Sequence, residues 1–379
     1  MKINHLRIKK AQELMKEQGM LGLMIMTRDD YQYFFGETRV QPRAIIPAFG
    51  DPIFICFEAE VKELRSALGD GKIKVFTHVG EQMTNVSKTF KALFSELPPQ
   101  MLADNQKVKV GMQMWFQTPA FLVDLFRKLN PQLELVTSDP VMDELRMVKD
   151  PDEIDNIQEA QKIAALGMDR LKELLKPGIT GHELATEVTY VMMKAGAFDT
   201  STPIHINSGI RSCWIHGKVD HEVIREGDLV VVDLTPKYRG YCANLARTFV
   251  VGKPEPKQQM LIDTYLKIIS DTREALKPGI TVGRLDKIGR EICQKNELEE
   301  YHLNGISHGI GLRFEETPAS TILPNHRTIR IKENMVMTVG HTILAIPGYG
   351  GVRFEDVYQV KPAGGKILVD YPNDYQIQL

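Results

Sequence analysis

Four short segments of this chain set ligand-capable side chains inside otherwise apolar stretches. They are Trp214-Ile215-His216-Gly217, Val232-Asp233-Leu234, Ser307-His308-Gly309-Ile310-Gly311 and Gly351-Val352-Arg353-Phe354-Glu355-Asp356. A carboxylate within Val231-Val232-Asp233-Leu234 is costly to bury unless it is ion-paired or holds a metal, and Glu355 poses the same problem. Carboxylates and histidines so placed are the materials of acid–base chemistry or of cation binding. Each also has a plainer reading. Asp233 precedes Thr235-Pro236, as a strand-end turn residue does, and Glu355 has Arg247 and Arg353 as candidate buried partners. Spacing alone does not choose between these readings.

Other chemistry is weaker on the sequence. Cys213 stands three residues before His216, the spacing of a conceivable nucleophile and base, yet small residues filling strand positions explain it more simply. The loop Gly348-Tyr349-Gly350-Gly351 lacks the Lys-Ser/Thr of a phosphate cradle.

The positioning elements fall into two parts, 1–145 and 146–379. In the first, Leu21–Met26 is an apolar run of strand length, and Gly50-Asp51-Pro52 reads as a turn between strands over Arg43–Phe49 and Ile53–Phe57. Helical stretches over Glu81–Leu97 and Pro119–Leu129 separate the short strands beginning at Lys72 and Lys107. This is an α/β pattern. Asp150-Pro151-Asp152-Glu153 then starts a long helix, with a capping Asp, proline at the first helical position and acids in the first turn. Ile154, Ile157, Ala160, Ile163 and Leu166 continue it at helical spacing.

Leu175-Lys176-Pro177-Gly178-Ile179-Thr180 recurs as Leu276-Lys277-Pro278-Gly279-Ile280-Thr281, with a helix before and after each copy. That context points to a duplicated half-domain. Four strands, beginning at Leu229, Gly240, Glu333 and Gly351, lie between and after the copies.

Composition bounds the function. Net charge is -2, which gives no bulk attraction to nucleic acid or to an anionic membrane. No apolar run reaches the ~20 residues of a membrane span. The charged, amphipathic N-terminus and four cysteines without a Cys-x-x-Cys pair point to a cytoplasmic protein.

Longer patterns carry a resemblance. DLTPKYRGYCANLARTF (233–249) resembles the pattern D-x-G-x-x-x-x-G-Y-x-S-D-x-T-R-T-F of the creatinase/aminopeptidase P/prolidase family. SHGIGLRFEETP (307–318) resembles G-H-G-I-G-L-x-x-H-E-x-P, and MVMTVGH (335–341) resembles M-V-x-T-V-E-P. GVRFEDVYQV (351–360) and GIRSCWIH (209–216) match further family segments. The resemblance covers residues 140–362 in order, and implies an α+β architecture. A C-terminal pita-bread domain follows a smaller α/β N-terminal domain.

The resemblance also implies a site. The family's peptidases bind two divalent metals through Asp, Asp, His, Glu and Glu, which fall here on Asp233, Asn244, His308, Gly340 and Glu355. A substrate-contacting histidine falls on His216, and a second falls on Glu315. Two carboxylates therefore remain where four face two dications, too few to hold both ions. The expectation is no cofactor, or one divalent ion on Asp233, His308 and Glu355. Without an ion, Asp233 and Glu355 are expected to share a proton beside His216 and His308. The catalytic candidates are His216, Asp233, His308 and Glu355; the substrate-binding candidates are His216, Asn244, Glu315 and Arg353. Strand alternation turns His341 away from the site unless a bulge shifts the register, and Gly340 is expected to leave a gap. Asn244→Asp with Gly340→Glu is then expected to rebuild a two-metal pocket.

The function implied is a hydrolase or lyase acting on a C–N or related bond of a small amino-acid-like or dipeptide-like substrate, without the dinuclear centre. The alternatives are an Xaa-Pro dipeptidase or aminopeptidase and a catalytically silent binding protein. Creatine does not fit: creatinase's substrate glutamates fall on Ala246 and Gly340, and its Phe-Gly-Arg clamp on Arg39-Val40-Gln41. A homodimer is expected, with Arg39–Arg43 in the loop that reaches the partner.

Overall fold

The computed structural model describes residues 3–37, 43–68, 72–78, 80–97, 107–115 and 118–379. The chain divides into two compact units, Met1–Leu145 and Arg146–Leu379. Among the described residues, no helix is long and apolar enough to cross a membrane. Arg39-Val40-Gln41, and all but Arg43 of the loop expected at a dimer contact, lie outside the described residues.

The first unit is a six-stranded mixed sheet. Its order is Lys72–Phe76, Ile53–Phe57, Ala44–Pro47, Met20–Ile25, Val108–Met112 and Leu133–Thr137. The Gly50-Asp51-Pro52 turn joins an antiparallel pair, with Ala44 opposite Phe54. Helices Val61–Leu68 and Ala120–Leu129 make the crossovers that parallel neighbours require. Helix Glu81–Ser95 buries Val86 and Phe90 among Ile45, Val110 and Phe126.

The second unit opens with helix Pro151–Leu174. Asp150 accepts a bond from the Glu153 backbone N–H at 2.9 Å, and Glu153 accepts one from that of Asp150 at 3.1 Å. This reciprocal cap satisfies two of the helix's free amide donors. The buried stripe runs Ile157, Ala160, Ile163, Ala164, Met168 and Leu171, and Leu166 is 48% exposed. A strict spacing of three drifts off the buried face of a 3.6-residue helix, so Leu166 turns outward.

The duplication is visible in backbone bonds. The second helix of each pair, Gly181–Lys194 or Val282–Lys295, follows its Thr directly. Gly178 N–H donates to Ile224 O at 3.0 Å, and Gly279 N–H donates to Ile331 O at 2.8 Å. Ile224 and Ile331 donate back to Ile179 and Ile280, each at 2.8 Å. Both glycines have positive φ, +97° and +95°.

Each helix pair covers a sheet. The first sheet orders Gln376–Ile377, Leu245–Val251, Leu229–Leu234 and His205–Ser208. The second orders Glu316–Ala319, His308–Gly309, Val336–Val339, Asp356–Lys361 and Gly364–Ile367. Val230, Val232 and Phe249 pack with the first helix pair, and Met337, Val339 and Phe354 with the second. Reciprocal backbone bonds between Ala246 and Glu355, at 3.1 and 3.0 Å, join the sheets.

The four strands expected from the sequence are each interrupted, the first only at Thr235, beyond an unbroken Leu229–Leu234 that carries Asp233. Asn244 lies between Tyr241–Cys242 and Leu245–Val251, and Glu355 between Gly350–Val352 and Asp356–Lys361. Gly340-His341 follows the end of Val336–Val339.

Candidate active site

Sheet pairing builds the site. His205 pairs with Asp233, Asp233 with Ala246, and Ala246 with Glu355. Cross-strand partners project to one face, so one row carries His205, Asp233 and Glu355. Arg353, two residues before Glu355, is held by Thr248, whose hydroxyl accepts from the Arg353 N–H at 2.7 Å.

The Arg353 guanidinium stands between the two acids. Its Nη1 lies 3.1 Å from Asp233 Oδ2 and its Nη2 lies 3.0 Å from Glu355 Oε2, all three side chains being buried. The plainer reading of Glu355 as a partner of Arg353 therefore describes its contact, while Arg247 pairs with Asp356 at 2.8 Å. A proton shared directly between Asp233 and Glu355 does not match this arrangement, because a permanent cation already occupies the gap. Asn244 Nδ2 donates to Asp233 Oδ1 at 3.0 Å. Burial pushes the Asp233 carboxyl upward against the pull of Arg353. Burial acts the same way on Glu355, but Arg353 and His341 overcome it and hold that carboxyl well below its ordinary value.

His341 is the main departure from expectation. Its Nδ1 lies 3.1 Å from His308 Nε2 and 3.3 Å from Glu355 Oε1, and its Nε2 lies 3.2 Å from Glu315 Oε1. Alternation misplaces it because the strand ends at Val339, and Gly340, at φ +109°, redirects the chain. Only glycine tolerates that backbone region readily. The turn is pinned on both sides. The Gly340 and His341 N–H groups donate to Ile306 O at 2.8 and 3.1 Å, and the buried Tyr265 hydroxyl contacts the carbonyls of Gly340 and Thr342.

Gly340 leaves no gap. A Cβ there comes within 1.8 Å of the Phe354 carbonyl oxygen and 2.7 Å of Ile269 Cδ1. The Gly340→Glu restoration is therefore sterically closed.

Burial alone lowers the His341 pKa, but Glu355 and Glu315 lift it to about 9. Glu315 also accepts from the Thr321 hydroxyl at 2.5 Å. Burial raises its carboxyl, but the His341 hydrogen bond, the neighbouring histidine rings and the Thr321 hydrogen bond bring it down to about 2. His216 is exposed, and partial burial and the positive charges of Arg353 and His341 lower its pKa.

The structure thus gathers Asp233, Asn244, His308, Glu315, Arg353 and Glu355 into one polar cluster, with the exposed His216 ring 6.1 Å from that of His205. Cys213 stays outside; its thiol donates to Ile346 O at 3.3 Å, and burial raises its pKa. The sequence reading missed His205, although Ile204-His205-Ile206 gives the same polar-in-apolar signal as Asp233. It also missed Tyr265, which lies in a helix and carries no local signal.

Two sheets, each under its own copy of one helix pair, with polar residues where they join, define a pita-bread hydrolase fold. Residues 155–362 match metallopeptidase family M24, and residues 7–148 match the creatinase/prolidase N-terminal domain. The chain belongs to family M24. It is 34% identical over 247 residues to an Xaa-Pro dipeptidase of Pyrococcus furiosus, covering 65% of this chain and 70% of that protein. The prolidase from Pyrococcus horikoshii superposes with TM-score 0.84 at 26% identity, covering 98% of this chain and 99% of the other. The prolidase from Pyrococcus furiosus superposes with TM-score 0.81 at 26% identity, covering 95% and 99%.

The positions that the resemblance assigns to the family's two-metal centre carry a different donor set here. Asn244 brings no charge, position 340 admits no side chain, and Arg353 ion-pairs with one oxygen each of Asp233 and Glu355. A guanidinium at that distance repels any dication placed between them.

Proposed function

We propose that this protein hydrolyses an amide C–N bond in a small dipeptide-like substrate, with Xaa-Pro dipeptides the first candidates. The observation that carries this reading is unspent hydrogen-bonding capacity around Asp233. His205 Nδ1, Asn244 Oδ1 and Arg353 Nε are buried and have no hydrogen-bond partner, His205 Nδ1 standing 4.0 Å from Asp233 Oδ2. Buried polar atoms are normally satisfied, so three together point to a polar occupant. The names of the relatives supply the substrate class.

Hydrolysis requires a water to lose a proton as it attacks the carbonyl carbon, and the leaving nitrogen to gain one. His216, exposed and with a lowered pKa, is neutral near pH 7 and takes the water's proton. It then returns that proton to the nitrogen. Arg353 Nε, buried between the two carboxylates without a hydrogen-bond partner, is the N–H available to a developing oxyanion. The reading includes a homodimer in the cytoplasm, supported by the resemblance of the chain to its family and checked by a mass measurement at micromolar concentration.

The test is proline release from a panel of Xaa-Pro dipeptides, beside Xaa-Ala dipeptides and N-acyl amino acids. His216→Ala should lower kcat by about 100-fold or more. Absence of hydrolysis across the panel would remove the proposal.

A further inference from the structure

Glu315 and His341 occupy none of the family's metal positions, yet they meet His308 in one cluster. We propose that His308, His341 and Glu315 form a site for a single first-row divalent transition-metal ion, distinct in its donor set from the family's dinuclear centre.

The donors are already assembled. One ligand atom from each of the three side chains lies within 4.8 Å of the other two. His308 Nδ1 is 2.9 Å from its neighbour's carbonyl, Gly309 O, so Nδ1–H donates there and Nε2 keeps its lone pair. His341 is held differently: its Nδ1 lies 3.0 Å from Arg353 Nη2 and 3.3 Å from Glu355 Oε1, and its Nε2 faces Glu315 Oε1 at 3.2 Å. For His308, an oxygen on Nδ1 that orients the ring and leaves Nε2 free is the usual support of a metal-binding histidine. In the ion-free arrangement, His341 Nδ1 also lies 3.1 Å from His308 Nε2, a contact that the ion replaces through a small ring rotation. The turn that carries His341 is rigid: Gly340 is enclosed by Phe354 and Ile269, and Tyr265 contacts the carbonyls on either side.

Charge fixes the number of ions. Asp233, Glu315 and Glu355 are three carboxylates, and Arg353 is the permanent cation among them. Counted as ionised, with neutral imidazoles, the four groups sum to -2. One dication closes that balance, whereas two would leave the same excess of positive charge. Two imidazoles and one carboxylate suit zinc, cobalt or ferrous iron better than magnesium or calcium, which prefer all-oxygen sites. The site lies beside the residues given a substrate role but does not rest on it: His216, outside the ligand set, still moves the proton.

The experiment is titration of chelator-stripped protein with Zn²⁺ by calorimetry, and with Co²⁺ by visible absorption. One ion per chain is expected, with cobalt bands of nitrogen and oxygen ligation. His341→Gln and Glu315→Gln should each weaken binding by more than about 100-fold, because loss of a ligand exceeds loss of an outer-shell support. Asp233→Asn should keep one ion, with affinity changed by less than about 10-fold, because Asp233 is not a ligand here. Circular dichroism of each near-isosteric variant checks the fold. No ion bound, or two per chain, would overturn the site. So would binding that Asp233→Asn abolishes and Glu315→Gln leaves intact, which would assign the ion to Asp233, His308 and Glu355. Protein that takes up one ion but is inert toward every dipeptide would remove the substrate reading and leave this site standing.

Discussion

The two halves of the C-terminal unit share a scaffold and differ in how they present polar groups. Each begins with a long helix, passes through Leu-Lys-Pro-Gly-Ile-Thr, and returns as a second helix tied to a later segment by matching backbone bonds. The first half contributes Asp233 from an unbroken strand, with His205 opposite it. The second half contributes His308, Glu315, His341, Arg353 and Glu355, several from strand ends and breaks. Duplication has preserved the backbone that must pack. The polar groups diverge where the backbone departs from regular pairing, since one unusual dihedral there redirects a whole side chain.

The largest expected effect lies where the halves are clamped together by charge. Arg353 from the second half holds Asp233 from the first. Arg353→Met leaves Asp233 and Glu355 buried without their cation, which costs about 3–5 kcal/mol. Chemical denaturation measures it. Adding Asp233→Asn and Glu355→Gln to that variant should recover part of the loss. An unchanged denaturation midpoint would mean that the halves do not depend on this ionic contact.

Glycine positions sharpen the same contrast. Gly340→Ala places a Cβ against the Phe354 carbonyl at a positive φ, and is expected to cost about 3 kcal/mol or more. Gly279→Ala shares the positive φ but meets nothing within 4 Å, so about 1–2 kcal/mol is expected. Equal losses would show that Gly340 serves only as a turn. Asn244→Asp with Gly340→Glu should give unfolded protein rather than a two-metal site.

This contrast also explains what the sequence could reveal. The α/β unit, the capped helix at Asp150 and the repeated Lys-Pro-Gly-Ile-Thr motif are local patterns, and local patterns are written in spacing. Asp233 was legible because its strand is regular and its alternation intact. His341 was misassigned because Gly340 breaks that alternation, and no residue count reports a φ angle. Arg353 was legible as a buried partner of Glu355 but not as a bridge to Asp233. That bridge requires the Ala246–Glu355 pairing, a contact between strands more than a hundred residues apart.

A smaller effect is expected at Tyr265. Its hydroxyl touches carbonyls on both sides of His341, and one hydroxyl proton serves them. Tyr265→Phe removes that bond from a buried site and should lower stability by about 1–2 kcal/mol. It should also loosen His341 and so weaken Zn²⁺ binding more than stability alone implies. A variant with native Zn²⁺ affinity would show that the backbone bonds to Ile306 hold the turn without help.

The smallest effect tests the duplication itself. Thr180 and Thr281 both stand before the second helix of their pair, with extended backbone at φ -100° and -89°. Their side chains are used differently. Thr180 accepts from Glu183 N–H at 3.2 Å, and Glu183 accepts in return from the Thr180 N–H at 2.9 Å, which completes a capping box. Thr281 makes no side-chain cap bond, and the residue three positions on is Arg284 rather than a carboxylate. The fold's equivalence of the two positions predicts equal costs for removing the hydroxyl; the bonds predict unequal ones. Thr180→Ala should cost about 1 kcal/mol, the usual value for a lost N-cap. Thr281→Ala should fall within about 0.5 kcal/mol of the parent, as substitutions that break no such feature do. Paired thermal melts at one protein concentration resolve that difference. Equal losses at both positions would mean that Thr281 caps its helix in solution, and that the halves remain closer than their side chains indicate.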